Sequence, residues 1–334
     1  MQKRIGACRA HTNIALIKYW GKRDQTLFLP TSSSLSLTLN AFYTDTRVQW
    51  LDNLSNDLFY LNGEKQSKEE TNKISRFLDL FRDELGINGY AKVESYNHVP
   101  TAAGLASSAS AFAALAGACR ESLHLDWSNE KLSTFARRGS GSATRSVYGG
   151  FVEWNKGTSS VDSKAIAIDD ANWDVGMVII AINKAKKKVS SREGMQLTVA
   201  TSPFYSQWVE QSEQDLIAIK EAIANQDIQR VGEIAETNAM RMHATTLAAN
   251  PPFTYFEPET LQAIASVQAL REKGFTAYYT IDAGPNVKVL CKASEMSQIK
   301  QHLSETFTND QLITTTPGDA LTRLDHWEYE DVTN

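Results

Sequence analysis

Pro100-Thr101-Ala102-Ala103-Gly104-Leu105-Ala106-Ser107-Ser108-Ala109-Ser110 runs without a break into an alanine-rich segment, residues 111–118. Residues 108–119 have high helix propensity and no proline, so the stretch reads as a Gly/Ser loop that opens a helix. A helix N-terminus carries unpaired N–H groups and a partial positive charge, and both attract anions. Gly104 lets backbone approach a phosphate, and the hydroxyls of Ser107 and Ser108 suit phosphate oxygens or a bound metal. Two readings stand side by side: a cradle for nucleotide phosphates, or a helix capped by Ser107 or Ser108 and nothing more. The stretch is not the P-loop of strand–Gly-x-x-x-x-Gly-Lys-Ser/Thr–helix proteins, because no Gly-Lys-Ser/Thr follows.

The rest of the chain bounds the answer. Its 334 residues exceed one compact core, so two domains are expected, 1–178 and 179–334. The net charge of −5 argues against a general nucleic-acid binder. Cys8, Cys119 and Cys291 are far apart and form no CxxC, which points to reduced thiols in the cytoplasm rather than a disulfide framework or a zinc site. The first residues lack an apolar core of signal-peptide length, and no run of about twenty apolar residues spans a membrane. The six histidines form no HExxH or other ligand cluster.

The first half is rich in short strands. Residues 34–39 alternate polar and apolar, and 46–50, 58–61 with the Asn62-Gly63 turn, and 91–96 extend the strand content. Ile74, Phe77, Leu78, Phe81 and Leu85 recur at helical spacing over 71–85. Ser128 caps a helix toward Arg138, the Gly139–Ala143 tract breaks the pattern, and 148–154 resumes with a strand. Residues 175–182 form a strongly apolar strand near the domain change. Helices are expected over 203–224, 227–244 and 258–273, then strands 277–281 and 287–291 around a turn at Asp282. Interleaved strands and helices give an α+β architecture.

Four further segments carry chemistry. Lys18, Tyr19, Lys22 and Arg23 crowd around Gly21 at the end of an apolar stretch; they hold a polyanion or form the solvated basic end of a strand. Ser140-Gly141-Ser142-Ala143-Thr144-Arg145 repeats the logic of the first loop and adds an arginine, whose fork suits phosphate or carboxylate; the plainer reading is a serine-capped loop with an exposed arginine. Lys184 to Lys188, followed by Ser190-Ser191-Arg192, reads as a mobile loop that closes over phosphates, or as a solvated charge run. Asp282 is either a turn former before Gly284-Pro285 or the carboxylate that activating a hydroxyl requires.

Taken together, these pieces resemble a known family. PTAAGLASSAS resembles the Pro-x-x-x-Gly-Leu-x-Ser-Ser-Ala signature of the GHMP small-molecule kinases. NIALIKYWGKRD, LPTSSSLSLTL, SGSATRSVYGGFVEW and SSREGM resemble the mevalonate diphosphate decarboxylase branch, over nearly the whole chain. The resemblance implies a two-domain GHMP fold with an N-terminal domain like ribosomal protein S5 domain 2. It implies ATP-dependent conversion of (R)-5-diphosphomevalonate to isopentenyl diphosphate, CO2, ADP and phosphate, with ATP as co-substrate and Mg2+.

By motif it also implies roles. Asp282 is the catalytic carboxylate, with Lys18 beside it. Asn13, Tyr19, Lys22, Ser140, Ser142, Arg145, Ser191, Arg192 and Met195 bind substrate, Arg145 and Asn13 facing its carboxylate. Asn97, Gly104, Leu105, Ala106, Ser107, Ser108 and Lys187 bind ATP, with Ser107 or Ser108 near Mg2+. A homodimer is expected on the same basis. A sister GHMP kinase that does not decarboxylate, a decarboxylase acting on the monophosphate, and an RNA-associated S5-like module are the competing readings.

Overall fold

The computed structural model describes residues 4–98, 107–183 and 188–330. Its first half contains β1 (Ile5–Ile17), β2 (Lys22–Asp24), β3 (Leu29–Pro30), β4 (Ser34–Leu51), β5 (Leu58–Leu61), β6 (Glu64–Lys65), α1 (Lys68–Leu85), β7 (Tyr90–Asn97), α2 (Ser108–Ser122), α3 (Asn129–Gly139), β8 (Phe151–Trp154) and β9 (Ala165–Asp169). The second half contains β10 (Gly176–Ile180), α4 (Ser191–Thr201), α5 (Tyr205–Ala224), α6 (Ile228–Leu247), α7 (Pro258–Glu272), β11 (Ala277–Ile281), β12 (Val287–Cys291), α8 (Met296–Leu303), β13 (Leu312–Thr315) and β14 (Thr322–Arg323). This is a two-domain α+β fold of the GHMP kinase type. The division expected between residues 178 and 179 falls inside β10.

An eight-stranded sheet runs β14-β1-β4-β7-β5-β6, with β8 paired to β4 and β9 paired to β8. One long strand, β4, does the organising. Its first residues pair with β8, opposite Leu35 to Glu153, and its later residues pair with β7, opposite Val48 to Val93. The stretches 34–39 and 46–50, read separately from sequence, are therefore two parts of one strand. A register shift between His11 and Asn13 of β1 lies against the middle of β4. A second sheet runs β11-β12-β10-β13, antiparallel throughout.

Helices cover both sheets through three apolar clusters. Val48, Phe59 and Val93 meet Phe77 and Phe81 of α1, Ala113 and Ala114 of α2 and Leu132 of α3. Small residues let α2 lie flat on β1: Ala113, Ala114, Ala116 and Ala118 are all fully buried. A second cluster joins the halves, because Leu16, Leu35, Leu37 and Phe42 of the first sheet pack with Met177, Ile179, Leu216, Val231 and Leu290. The third lies under α7 and α8, with Val178, Val267, Val289, Ile299 and Leu303. Cys8, Cys119 and Cys291 are buried and free. Among the described residues no helix is long and apolar enough to cross a membrane.

Helix boundaries follow caps rather than hydrophobic period. Ser67 caps α1 by accepting from the Glu70 N–H, so the helix starts at Lys68, three residues before its expected start. Ser128 accepts from the Lys131 N–H and opens α3 as expected. Two elements depart from the sequence reading. Residues after Ser190, expected as a mobile loop, form α4, because Ser190 and Glu193 close a reciprocal capping box. The Gly139–Ala143 tract is no open loop either: α3 runs through Gly139, and Gly141–Val147 winds into a 3-10 helix.

Candidate active site

Asp282 leaves the end of β11 at the mouth of a cleft between the two sheets, its side chain 35% exposed. Lys18 follows directly on β1 and is 2% exposed. Its ammonium donates to Asp282 Oδ1 at 2.7 Å and to the Ala15 carbonyl at 2.8 Å, while its backbone N–H donates to Asn238 of α6. Lys288 comes from β12, and its ammonium lies 3.2 Å from Asp282 Oδ2. Burial alone would raise the Asp282 carboxyl, but the two ammonium groups outweigh it and hold the carboxyl well below the usual carboxylate range. Burial pushes Lys18 down to about 8 even though Asp282 supports its charge.

Beside this trio lies a second buried constellation. Arg145, on the 3-10 helix, is fully buried. Its Nη1 donates to Ser34 Oγ at 2.5 Å, and its Nε and Nη2 reach Asn13 Oδ1 at 3.3 and 3.2 Å. Asn13 in turn donates to the Ser142 carbonyl at 3.0 Å and to Ser146 Oγ at 2.8 Å. The exposed-arginine reading of this tract therefore fails. Burial lowers Arg145 to about 10, still cationic at neutral pH, and among the described residues no carboxylate pairs with it directly. A buried guanidinium held only by neutral acceptors suits an anion brought in by a ligand.

The opposite wall carries the cations Lys22 and Arg192. Gly21 adopts a φ of +127° and a Cβ there would overlap the Tyr205 hydroxyl, so only glycine lets the chain turn between Tyr19 and Lys22. Tyr19 packs on Trp154, and its buried hydroxyl has no hydrogen-bond partner among the described residues. A Cβ on Gly141 would sit 2.8 Å from the Tyr19 ring, so the bare glycine makes room for it. Lys22 stands 3.5 Å over the Phe28 ring, and burial together with Arg192 lowers it to about 8. Ser191, Arg192 and Met195 project from the first turns of α4 into the same space.

The Gly/Ser stretch that opens α2 is described only from Ser107 onward. Ser108 Oγ accepts from Ser140 Oγ at 3.3 Å, and Ser140 and Ser142 lie 3.2 Å apart, so the two serine tracts meet. Ser107 holds the N-cap position of α2, yet its hydroxyl makes no cap bond, contrary to the plain capping reading. Asn97, at the end of β7, accepts from Thr44 at 2.9 Å and receives no place among the described lining of the cleft. Gly104, Leu105, Ala106 and Lys187 lie outside the described residues.

Together these residues line a cleft of about 1050 Å³. Its described lining carries Lys18, Lys22, Lys73, Arg76, Arg138, Arg145, Arg192 and Lys288 against a single carboxylate, Asp282. Such a wall binds several anions at once while one carboxylate reaches a neutral hydroxyl. Sequence reasoning missed Lys288, although a lone lysine inside Val287-Lys288-Val289-Leu290-Cys291 is an available signal of a buried charge. Arg137, by contrast, is structural: it holds the carbonyls of Leu27, Ser160 and Ser163. No group of three or more His, Cys, Asp or Glu stands ready for a metal among the described residues. The uncapped Ser107 hydroxyl beside Ser108 suits a hard cation that takes most of its ligands from phosphate and water.

Residues 10–167 match the model for the diphosphomevalonate decarboxylase-like N-terminal domain, and residues 177–329 match the mevalonate 5-diphosphate decarboxylase C-terminal domain. The diphosphomevalonate decarboxylase of Schizosaccharomyces pombe is 36% identical over 313 residues, covering 86% of this chain and 79% of that one. The crystal structure of mevalonate diphosphate decarboxylase from Staphylococcus aureus superposes with a TM-score of 0.94 at 48% identity, over 97% of this chain and 99% of that one. MDDEF in complex with MVAPP, AMPPCP and magnesium superposes with a TM-score of 0.91 at 51% identity, over 96% and 99%.

Proposed function

Because this chain belongs to the diphosphomevalonate decarboxylase family, we propose that its cleft carries out the family's reaction with Asp282 at the reacting hydroxyl. That reaction is the ATP-dependent decarboxylation of (R)-5-diphosphomevalonate to isopentenyl diphosphate, with ADP, phosphate and CO2 as the other products. The observation that carries the residue assignment is the Lys18–Asp282–Lys288 trio, whose aspartate is the one carboxylate in the described lining of a cationic cleft, with the Arg145–Asn13 pair beside it.

A tertiary alcohol is a poor leaving group, so the substrate's 3-hydroxyl is first phosphorylated. Asp282 accepts the hydroxyl's hydrogen bond and aims its oxygen at the terminal phosphorus of ATP. The new O–P bond forms as the bond to ADP breaks, and the hydroxyl proton leaves toward Asp282. Lys18 and Arg145 balance charge on the transferring group. The C3–O bond then breaks with its electron pair on phosphate, and the electrons of the breaking C–CO2 bond form the alkene. Arg145, oriented by Asn13 and Ser34, holds the carboxylate in the plane from which CO2 departs. Tyr19, Lys22 and Arg192 take the diphosphate end, and Ser140, Ser142, Ser191 and Met195 line the rest of the substrate site. Ser107 and Ser108 would hold Mg2+, which supplies charge neutralisation on the ATP phosphates. Asn97, Gly104, Leu105, Ala106 and Lys187 complete the ATP site in this proposal. The free, buried cysteines support a cytoplasmic setting. The proposal includes a homodimer, which sedimentation would register as twice the mass of one chain.

Purified protein given ATP, Mg2+ and (R)-5-diphosphomevalonate should release ADP and CO2 in equal amounts. Asp282→Asn should lower that rate by on the order of 10³-fold. ADP without CO2 would make it a kinase, and near-normal CO2 release by Asp282→Asn would remove Asp282 from its role.

A further inference from the structure

We infer that Lys288 is a positioning residue: it locks the Asp282 carboxylate in the orientation that receives the substrate hydroxyl. The inference rests on the role proposed above for Asp282 and deepens it.

A carboxylate held at one oxygen turns freely about its last bond, because an sp³–sp² torsion has no sharp wells. Asp282 is held at both. Lys18 holds Oδ1 at 2.7 Å and Lys288 faces Oδ2 at 3.2 Å. The two clamps refer the carboxylate to different sheets. Lys18 is braced on the Ala15 carbonyl of β1, in the first sheet. Lys288 belongs to β12 of the second sheet, and its ammonium also donates to the Asn286 carbonyl at 3.1 Å. Asn286 Oδ1 accepts the N–H groups of Ile182 and Asn183, just beyond β10, at 2.7 and 3.1 Å. The carboxylate plane is therefore fixed by the relative position of the two halves. Arg145 and Asn13, which face the substrate carboxylate, stand on the first half.

Filling space does not account for Lys288. It is 2% exposed inside an apolar strand, where a methionine of similar length fills the volume without desolvating a charge. What methionine cannot supply is a second donor to Asp282.

The test compares Lys288→Met and Lys288→Arg with wild type under saturating ATP, Mg2+ and diphosphomevalonate, reading ADP and CO2. Lys288→Met should lower kcat by on the order of 10²-fold, since a displaced reacting group costs about that much. KM for both substrates should stay within about twofold, because the Lys288 ammonium is already engaged by Asp282 and the Asn286 carbonyl and the residues assigned to substrate and ATP keep their side chains. Lys288→Arg, which keeps a cationic donor, should recover part of the loss. If Lys288→Met does not fold, Lys288→Leu carries the same expectation, being apolar and unable to donate to Asp282. A kcat unchanged in the neutral variant, or a KM that rises in proportion to the fall in kcat, overturns the inference. A wild-type enzyme that releases no CO2 overturns the functional reading instead. An inactive Asp282→Asn beside a fully active Lys288→Met overturns this inference alone.

Discussion

Lys18→Met should flatten the dependence of folding stability on alkaline pH. Lys18 is 2% exposed and is lowered from an ordinary 10.5 to about 8, chiefly by burial. In the unfolded chain it keeps its proton up to 10.5. Between about 8 and 10.5 the unfolded state therefore binds more protons than the folded one, and stability rises with pH across that window. At about 1.36 kcal/mol per pH unit, the rise attributable to Lys18 is about 3 kcal/mol. Methionine has nothing to titrate, so the variant should lack that increment. Urea unfolding of both proteins at pH 7 and at 10.5 gives the comparison directly, and Lys22, which remains in both, cancels. Equal slopes in the two proteins would refute the reasoning, because they would mean that Lys18 is neither desolvated nor charged as described. The same variant should turn over on the order of 10²-fold more slowly, since Asp282 loses its closer anchor.

Three other perturbations are equally direct. Lys22 loses its charge above about 8, so the kcat/KM advantage of wild type over Lys22→Gln should shrink toward unity from pH 7 to 9.5; an advantage constant with pH would show that Lys22 contributes no charge. Gly141→Ala places a Cβ 2.8 Å from the Tyr19 ring, which should cost about 1–3 kcal/mol and raise KM for diphosphomevalonate while leaving that for ATP alone. An unchanged KM would mean that Tyr19 does not contact substrate. Ser190→Ala removes the cap of α4 and should weaken that helix by about 1 kcal/mol. Amide exchange in residues 191–201 should speed up with no matching change in β12, and a uniform response of both would show that α4 is not a local unit.

The positions proposed as catalytic were legible because their chemistry is unusual for their surroundings. Lysines ending an apolar run, an arginine amid Gly and Ser, and an aspartate before Gly-Pro each break a local pattern. Their mutual distances were not legible, because Lys18 and Asp282 meet only through sheet packing across 264 residues. Hydrophobic period located α5, α6 and α7, and it failed for α4, whose only buried residues are Gly194 and Thr198. A helix that buries so little carries no apolar stripe, and its start is encoded in the Ser190–Glu193 cap. Lys288 escaped notice because its neighbours name it as a strand residue, and the pattern says nothing of where an ammonium points.

The apolar cluster shared by Leu16, Leu37 and Phe42 with Met177, Leu216 and Val231 limits how this chain can be taken apart. Cutting between β9 and β10 would leave each piece with half of a core and a wet apolar face, so neither is a candidate for separate expression. A chimera with a relative would need its partner's residues on both sides of that seam, exchanged as a set. Calorimetry of the whole chain should accordingly show one melting transition in which the two halves are lost together.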